Sequence, residues 1–136
     1  LIAMNNSARS AYLDATVATA SPARLLVMLC ERLVIDVQRA VDALERAAAA
    51  DAHAQLVHAQ DIVIELRVSL RPEEFRGGKE LAALYTYLHQ RLILANVRKD
   101  TVLALECLGL VTGIRDTWRE AALQASGVHA AATRSA

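Results

Sequence analysis

The groups in this chain that could do chemistry are four histidines, two cysteines and fifteen carboxylates. Dimetal chemistry in a helical protein needs a glutamate with a histidine three residues on, so that both ligands face one way. No glutamate here has a histidine at that spacing. His53 and His58 are five apart, which turns them to different faces of a helix. His58 and His89 fall mid-helix, where phosphotransfer would need an exposed imidazole. Neither lies in a phosphotransfer signature, and a solvated histidine is the simpler reading. Cys30 and Cys107 show no metal or redox spacing and fall on or beside apolar stripes, where a thiol acts as a small hydrophobe. A reduced cytosolic compartment suits them. Phosphate loops, Ser/His/Asp sets and inward carboxylate pairs are absent from the sequence. It reads as a binding protein and not an enzyme, with no cofactor and no metal.

The elements that would carry such a function are helices. Hydrophobic residues make up 54% of the 136 and aromatics only 4%, so the apolar mass is Ala, Leu and Val. Only Pro22 and Pro72 break the chain, and long period-2 runs are lacking. Ser21–Pro22 predicts a helix start, with Ser at the N-cap and Pro at the first helical position. Helix one then runs to about Ala49 on the stripe Leu26, Leu29, Leu33, Val37, Ala40 and Leu44. Asp51 caps helix two, which carries Leu56, Ala59, Ile62, Val63, Leu66 and Leu70 and stops at Pro72. After Gly77–Gly78, helix three runs from about Lys79 to about Ala95, with Asn96 as a left-handed end. Asp100 caps helix four, which carries Leu103, Cys107, Leu110, Val111, Ile114 and Trp118. Gly109-x-x-x-Gly113 on that helix predicts tight packing within the bundle.

The fold class expected is all-α, an antiparallel four-helix bundle with a short N-terminal helical arm. Residues 1–20 form the arm, 21–125 the bundle and 126–136 a flexible C-terminal tail. Leu1–Ser10 does not read as a signal peptide, and Met4 is a candidate native start. Leu25–Val37, the most apolar stretch, is too short for a bilayer and carries Glu31, Arg32 and Asp36, so direct membrane insertion is not expected. Fifteen basic residues balance fifteen acidic ones, which lacks the footprint of a nucleic-acid binder.

A bundle helix needs one apolar stripe, yet several here carry a second. Helix two adds Val57, Ile64 and Val68, helix three adds Tyr87 and Leu94, and helix one adds Val27, Val34 and Val41. The arm holds a further apolar pair, Tyr12 and Leu13. The partner-binding residues expected are therefore Tyr12, Leu13, Val57, Ile64, Val68, Tyr87 and Leu94. A groove for a partner's amphipathic helix is one reading. A fat core or a homodimer interface is the other.

At this point the residues resemble a known family, the flagellin export chaperones (FliS) of bacterial flagellar systems. The resemblance runs from Tyr12 to Trp118. It is carried by Ala11–Tyr12, by Ala20–Ser21–Pro22 before Leu25–Leu29, and by Ala59–Gln60–Asp61–Ile62 with Glu65–Leu66. Its most specific stretch is Gly77–Gly78 leading into Leu84–Tyr85–Thr86–Tyr87–Leu88, then Arg91–Leu92 and Ala95–Asn96. Two places depart. Cys30–Glu31–Arg32 stands where the family commonly has an aromatic, Asp and Gly, and Lys79 follows the glycines where an acidic residue is commoner.

The resemblance implies a non-enzymatic cytosolic chaperone with an antiparallel helical-bundle fold. It implies that the C-terminal segment of flagellin is held as helices in apolar grooves, which blocks premature polymerisation. It also implies delivery to a membrane protein of the flagellar export gate, and an arm that covers apolar surface until flagellin arrives. The rival reading is a structural or regulatory homodimeric bundle that buries the same stripes against its twin.

Overall fold

The computed structural model describes the backbone of residues 21–135 and the side chains of residues 21–127. The expected arm, with Tyr12 and Leu13, lies outside the described residues. Four α-helices follow: α1 Pro22–Glu45, α2 Ala49–Ser69, α3 Gly78–Arg98 and α4 Thr101–Ser135, with a 3-10 turn at Pro72–Glu74.

Local chemistry sets most of the ends. The Ser21 hydroxyl accepts from the Arg24 amide at 3.2 Å, and Pro22 opens α1 as its residue type favours. Asp100 Oδ1 accepts from the amides of Val102 and Leu103 at 2.9 and 3.2 Å and so caps α4. Gly77 adopts a left-handed φ of 81° before α3. A Cβ at Gly78 would collide with the Pro72 carbonyl, so the 3-10 turn packs on the start of α3 only because that residue is glycine.

Four boundaries differ from expectation. Helix α1 stops at Glu45, where Ala47 turns left-handed (φ 57°) and the Ala48 amide reaches back to the Ala43 carbonyl at 2.8 Å. An alanine there carries no stop signal; the reversal follows from packing α2 back along α1. Helix α2 consequently starts at Ala49, and Asp51 lies in its first turn rather than at the cap. Its carboxylate still suits the positive helix end. Lys99, not Asn96, is the left-handed residue that ends α3. Helix α4 continues past Ala125 to Ser135, so the expected flexible tail from residue 126 is helical. Alanine has the highest helix propensity, and Ala130–Ala132 outweigh one glycine at about 1 kcal/mol.

Each helix packs on its neighbour in sequence, and α4 closes on α1. Between α1 and α2, His58 meets Asp36, while Leu66 and Leu70 meet Leu26. Between α2 and α3, His53 bonds Asn96, while Arg67 lies by Thr86. Between α3 and α4, Arg91 bonds Glu106 and Tyr85 bonds Trp118. Between α4 and α1, Ala104 packs near Val41 and Arg119 reaches Glu31. Numbers rise on one helix as they fall on the next, so neighbours run antiparallel.

The core joins Leu33 and Val37 of α1, Leu56 and Leu66 of α2, Tyr85, Leu88 and Leu92 of α3, and Cys107 and Val111 of α4. Helix α1 is flanked on both sides, and that corrects one expectation. Its supposed surplus is largely core: Val27 and Val41 are buried and Val34 is half-buried. Asp36 is the one buried charged side chain among the described residues. Its carboxylate accepts from Arg32 Nε at 3.0 Å and pairs with His58 Nδ1, tying α1 to α2.

Candidate partner-binding surface

Part of the apolar surface left over after the core is filled lies on either side of α3. Between α2 and α3 lies a shallow cleft of about 150 Å³, lined by Val63, Ile64, Arg67, Val68, Thr86 and His89. Ile64 is 47% and Val68 79% exposed, so no element of the bundle covers them. Val57 shares their stripe two turns earlier and is half-buried.

Between α3 and α4 runs a second cleft of about 280 Å³. Leu81 and Leu84 wall it, and Leu110, Ile114 and Trp118 are among its lining. Gly109 and Gly113 also line this cleft, and both are exposed. The expectation that they pack tightly within the bundle fails: a Cβ at either would meet nothing within 4 Å. Exposed Val102 and Leu105 lie on α4 at one to two turns from Gly109.

The expected site residues divide between the two flanks of α3. Ile64 and Val68 face the α2 side. Tyr87 turns the other way, donating its hydroxyl to Glu106 Oε1 of α4 at 2.6 Å. Arg91 Nη2 donates to the other oxygen, Glu106 Oε2, at 2.8 Å and stacks over the Tyr87 ring at 5.7 Å. The hydrogen bond from Arg91, then that from Tyr87, holds the Glu106 carboxyl below its ordinary range. The bond to Glu106 raises the Tyr87 phenol. Leu94, two turns past Tyr87, is half-buried. The stripes of Val57 and of Tyr87 thus form two surfaces and not one groove.

Leu81 and Leu84 pack against the core and also line the second cleft, as do the two glycines that the sequence placed as packing residues. Nothing in periodicity separates a residue at a core edge from one at the floor of an open cleft. The glycine pair was the available signal, since a helix interior holds glycine at a loss unless something approaches it closely.

Cys30 and Cys107 are buried, and burial pushes both thiols up to about 12, far from the thiolate a nucleophile needs. Among the described residues no three His, Cys, Asp or Glu side chains gather to hold a metal ion. No helix there is long and apolar enough to cross a membrane.

Comparison with known proteins decides the family. Residues 4–125 match the sequence model of the family described as flagellar protein FliS. The chain belongs to the FliS family. It is 32% identical to the flagellar secretion chaperone FliS of Bacillus subtilis (strain 168) over 112 residues, 82% of this chain and 84% of that one. A shorter match to the flagellar secretion chaperone FliS of Escherichia coli (strain K12) is 40% identical over 62 residues, covering 45% of this chain and 46% of the relative. Membership in the FliS family makes this four-helix bundle a flagellar export chaperone.

Proposed function

We propose that this FliS protein binds the C-terminal segment of flagellin in the cytosol and holds it as helices in the clefts on either side of α3. One observation carries the reading: Ile64 and Val68 on one flank, and Gly109 and Gly113 on the other, stay exposed in the protein's own fold. Segments that polymerise by packing amphipathic helices present apolar residues at i, i+3, i+4 and i+7, the pattern that such clefts accept. Covering those residues competes with polymerisation. A disordered chain loses conformational entropy on ordering, so it needs a long apolar surface in return. Two clefts supply more of it than one. Tyr12 and Leu13 of the arm cover apolar surface between α1 and α4 until the flagellin segment, wrapping round from the clefts beside α3, displaces them. Delivery of the bound flagellin to a membrane protein of the export gate completes the role.

The test is a mixture of the protein with its cognate flagellin, analysed by size exclusion with light scattering. A soluble 1:1 complex is expected. It should be lost when flagellin lacks roughly its last 40 residues, the order of helix length that wraps such a bundle at 1.5 Å per residue. Undiminished binding to the truncated flagellin sinks the reading. A stable dimer of the protein alone, unaffected by flagellin, favours the homodimeric bundle.

A further inference from the structure

We propose that His58 is a phosphoryl-acceptor site, whose Nε2 takes a phosphoryl group from an N–P donor of the phosphoramidate class. His58 sits mid-helix on α2, half exposed, against Asp36, the one charged side chain buried among the described residues. Its Nδ1 meets Asp36 Oδ2, while Asp36 Oδ1 accepts from Arg32 Nε at 3.0 Å. A carboxylate can only accept, so Nδ1 carries the ring proton. In the neutral ring the lone pair is then left on Nε2, the nitrogen not turned to Asp36.

His53 shows that this is not the state of every exposed histidine on α2. Its Nδ1 lies 2.9 Å from Asn96 Nδ2. The other end of that amide, Oδ1, is taken by Lys99 Nζ, so the amide nitrogen faces the ring and donates to it. His53 Nδ1 therefore accepts, and its proton sits on Nε2, which has no lone pair to offer. Two exposed histidines of one helix are held in opposite tautomers, and of the two His58 is the one set as a nucleophile.

The transfer balances within these groups. The Nε2 lone pair forms the new N–P bond and the donor's P–N bond breaks. The electron pair leaves with the donor nitrogen, as ammonia in the case of zwitterionic phosphoramidate. No proton has to leave Nε2. The ring gains a positive charge, which the buried carboxylate beside Nδ1 offsets, as an aspartate does for the imidazolium of a catalytic triad. Arg32, Asp36 and Arg39 stand at i, i+4 and i+7, so two exposed guanidiniums flank the carboxylate on one side of α1. Guanidiniums suit a phosphoryl dianion, and Asp61, one turn along α2, is the acidic neighbour. The phosphoryl group would lie over the seam of α1 and α2, whereas Ile64 lies on the α3 flank of α2.

The experiment incubates the folded full-length protein with phosphoramidate at mildly alkaline pH. Phosphate at each of the four histidines is followed by mass spectrometry with acid avoided, and phosphorus NMR assigns the ring nitrogen. Nε2 of His58 should be modified on the order of tenfold faster than His53 or His89, a small share of what a carboxylate-held imidazole contributes in a triad. That preference should vanish in urea, where Asp36 no longer holds the ring. Asp36→Asn, checked for folding by circular dichroism, should bring the rate at His58 down to that at His53. If Asp36→Asn does not fold, the folded and urea-treated wild type decide the question between them. Equal rates at His53 and His58 in the folded chain overturn the proposal. So does phosphate on Nδ1 of His58, or an undiminished rate at His58 in folded Asp36→Asn.

Discussion

Tyr87 of α3 and Glu106 of α4 are joined by a 2.6 Å hydrogen bond, and that bond fixes which flank of α3 the tyrosine serves. It sets Tyr87 beside the glycine-lined cleft and turns it from Ile64 and Val68. Two separate surfaces therefore flank α3, one on each side, and each can be tested alone.

Ile64→Asp should leave the bundle folded, because the side chain is already half in solvent. Flagellin affinity should fall by more than about 2 kcal/mol, since the new carboxylate would be buried without a partner in the complex. Leu94→Asp should lower thermal stability as well, because Leu94 is half-buried before any partner arrives. Circular dichroism melts beside calorimetric titration separate the two effects. An Ile64→Asp variant that binds like wild type would remove the α2/α3 cleft from the site.

Four helices with antiparallel neighbours were legible in the sequence because the main stripes keep a helical period: Leu33 with Val37, Ala59 with Leu66, Leu103 with Cys107. The caps at Ser21 and Asp100 were legible for the same kind of reason, a side-chain oxygen placed next to free amides. The turn at Ala47 was not, since a left-handed alanine is imposed by tertiary packing and leaves no residue signature. Periodicity found the second stripes of α2 and α3 but could not say which neighbour each faced. It also counted Val27 and Val41 as surplus, although α4 and α2 together cover both flanks of α1. Tyr87 needed the contact with Glu106 before its flank was known.

The buried Asp36 makes an asymmetric prediction. Its carboxylate is fully enclosed, whereas the Arg32 and His58 side chains that hold it are about half exposed, at 49% and 51%. His58→Ala leaves a buried carboxylate oxygen without its partner, which should cost about 1–3 kcal/mol. Asp36→Asn keeps the shape and removes the buried charge, and the two freed partners can return to water. It should be the milder change. Urea denaturation of both variants checks the order; an Asp36→Asn protein less stable than His58→Ala would show that the ion pair itself holds α1 on α2.

The Tyr87–Arg91–Glu106 cluster has a defined pH signature. Hydrogen bonds from Arg91 and Tyr87 depress the Glu106 carboxyl below its ordinary value of 4.5. A depressed folded-state value means the cluster contributes its full stability above 4.5 and loses it as pH falls through the lower, folded value. Tyr87 shifts the opposite way: its phenol is raised above 10.0, chiefly by the bond to Glu106. Glu106→Gln should return the Tyr87 titration toward 10.0. Carboxyl-resolved NMR and the ultraviolet absorbance of tyrosinate at alkaline pH measure the two ends. An unchanged Tyr87 titration in Glu106→Gln would mean that the bond does not persist in solution.

The arm is the remaining strip of apolar sequence, and the bundle offers a place for it. Described residues begin at Ser21, which itself lines a cleft of about 460 Å³ between α1 and α4, together with Val27, Ala122 and Leu123. Leu123 is 73% exposed, so apolar surface is open where the arm joins the bundle. Tyr12 and Leu13 lie within ten residues of that cleft and are separated from it by the small residues of Ala15–Ala20. Folding back there should be weak, because one Tyr and one Leu contribute only a few kcal/mol before the arm's ordering entropy is counted. Weak docking is what lets a longer flagellin segment displace it. Deleting residues 1–17 should leave the bundle's melting cooperative, raise hydrophobic-dye binding and tighten the Kd for flagellin, since the competitor is gone. Hydrogen exchange at Tyr12 should quicken when flagellin binds the intact chain. Slower exchange there would make the arm a clamp on the partner, and the deletion should then loosen the Kd.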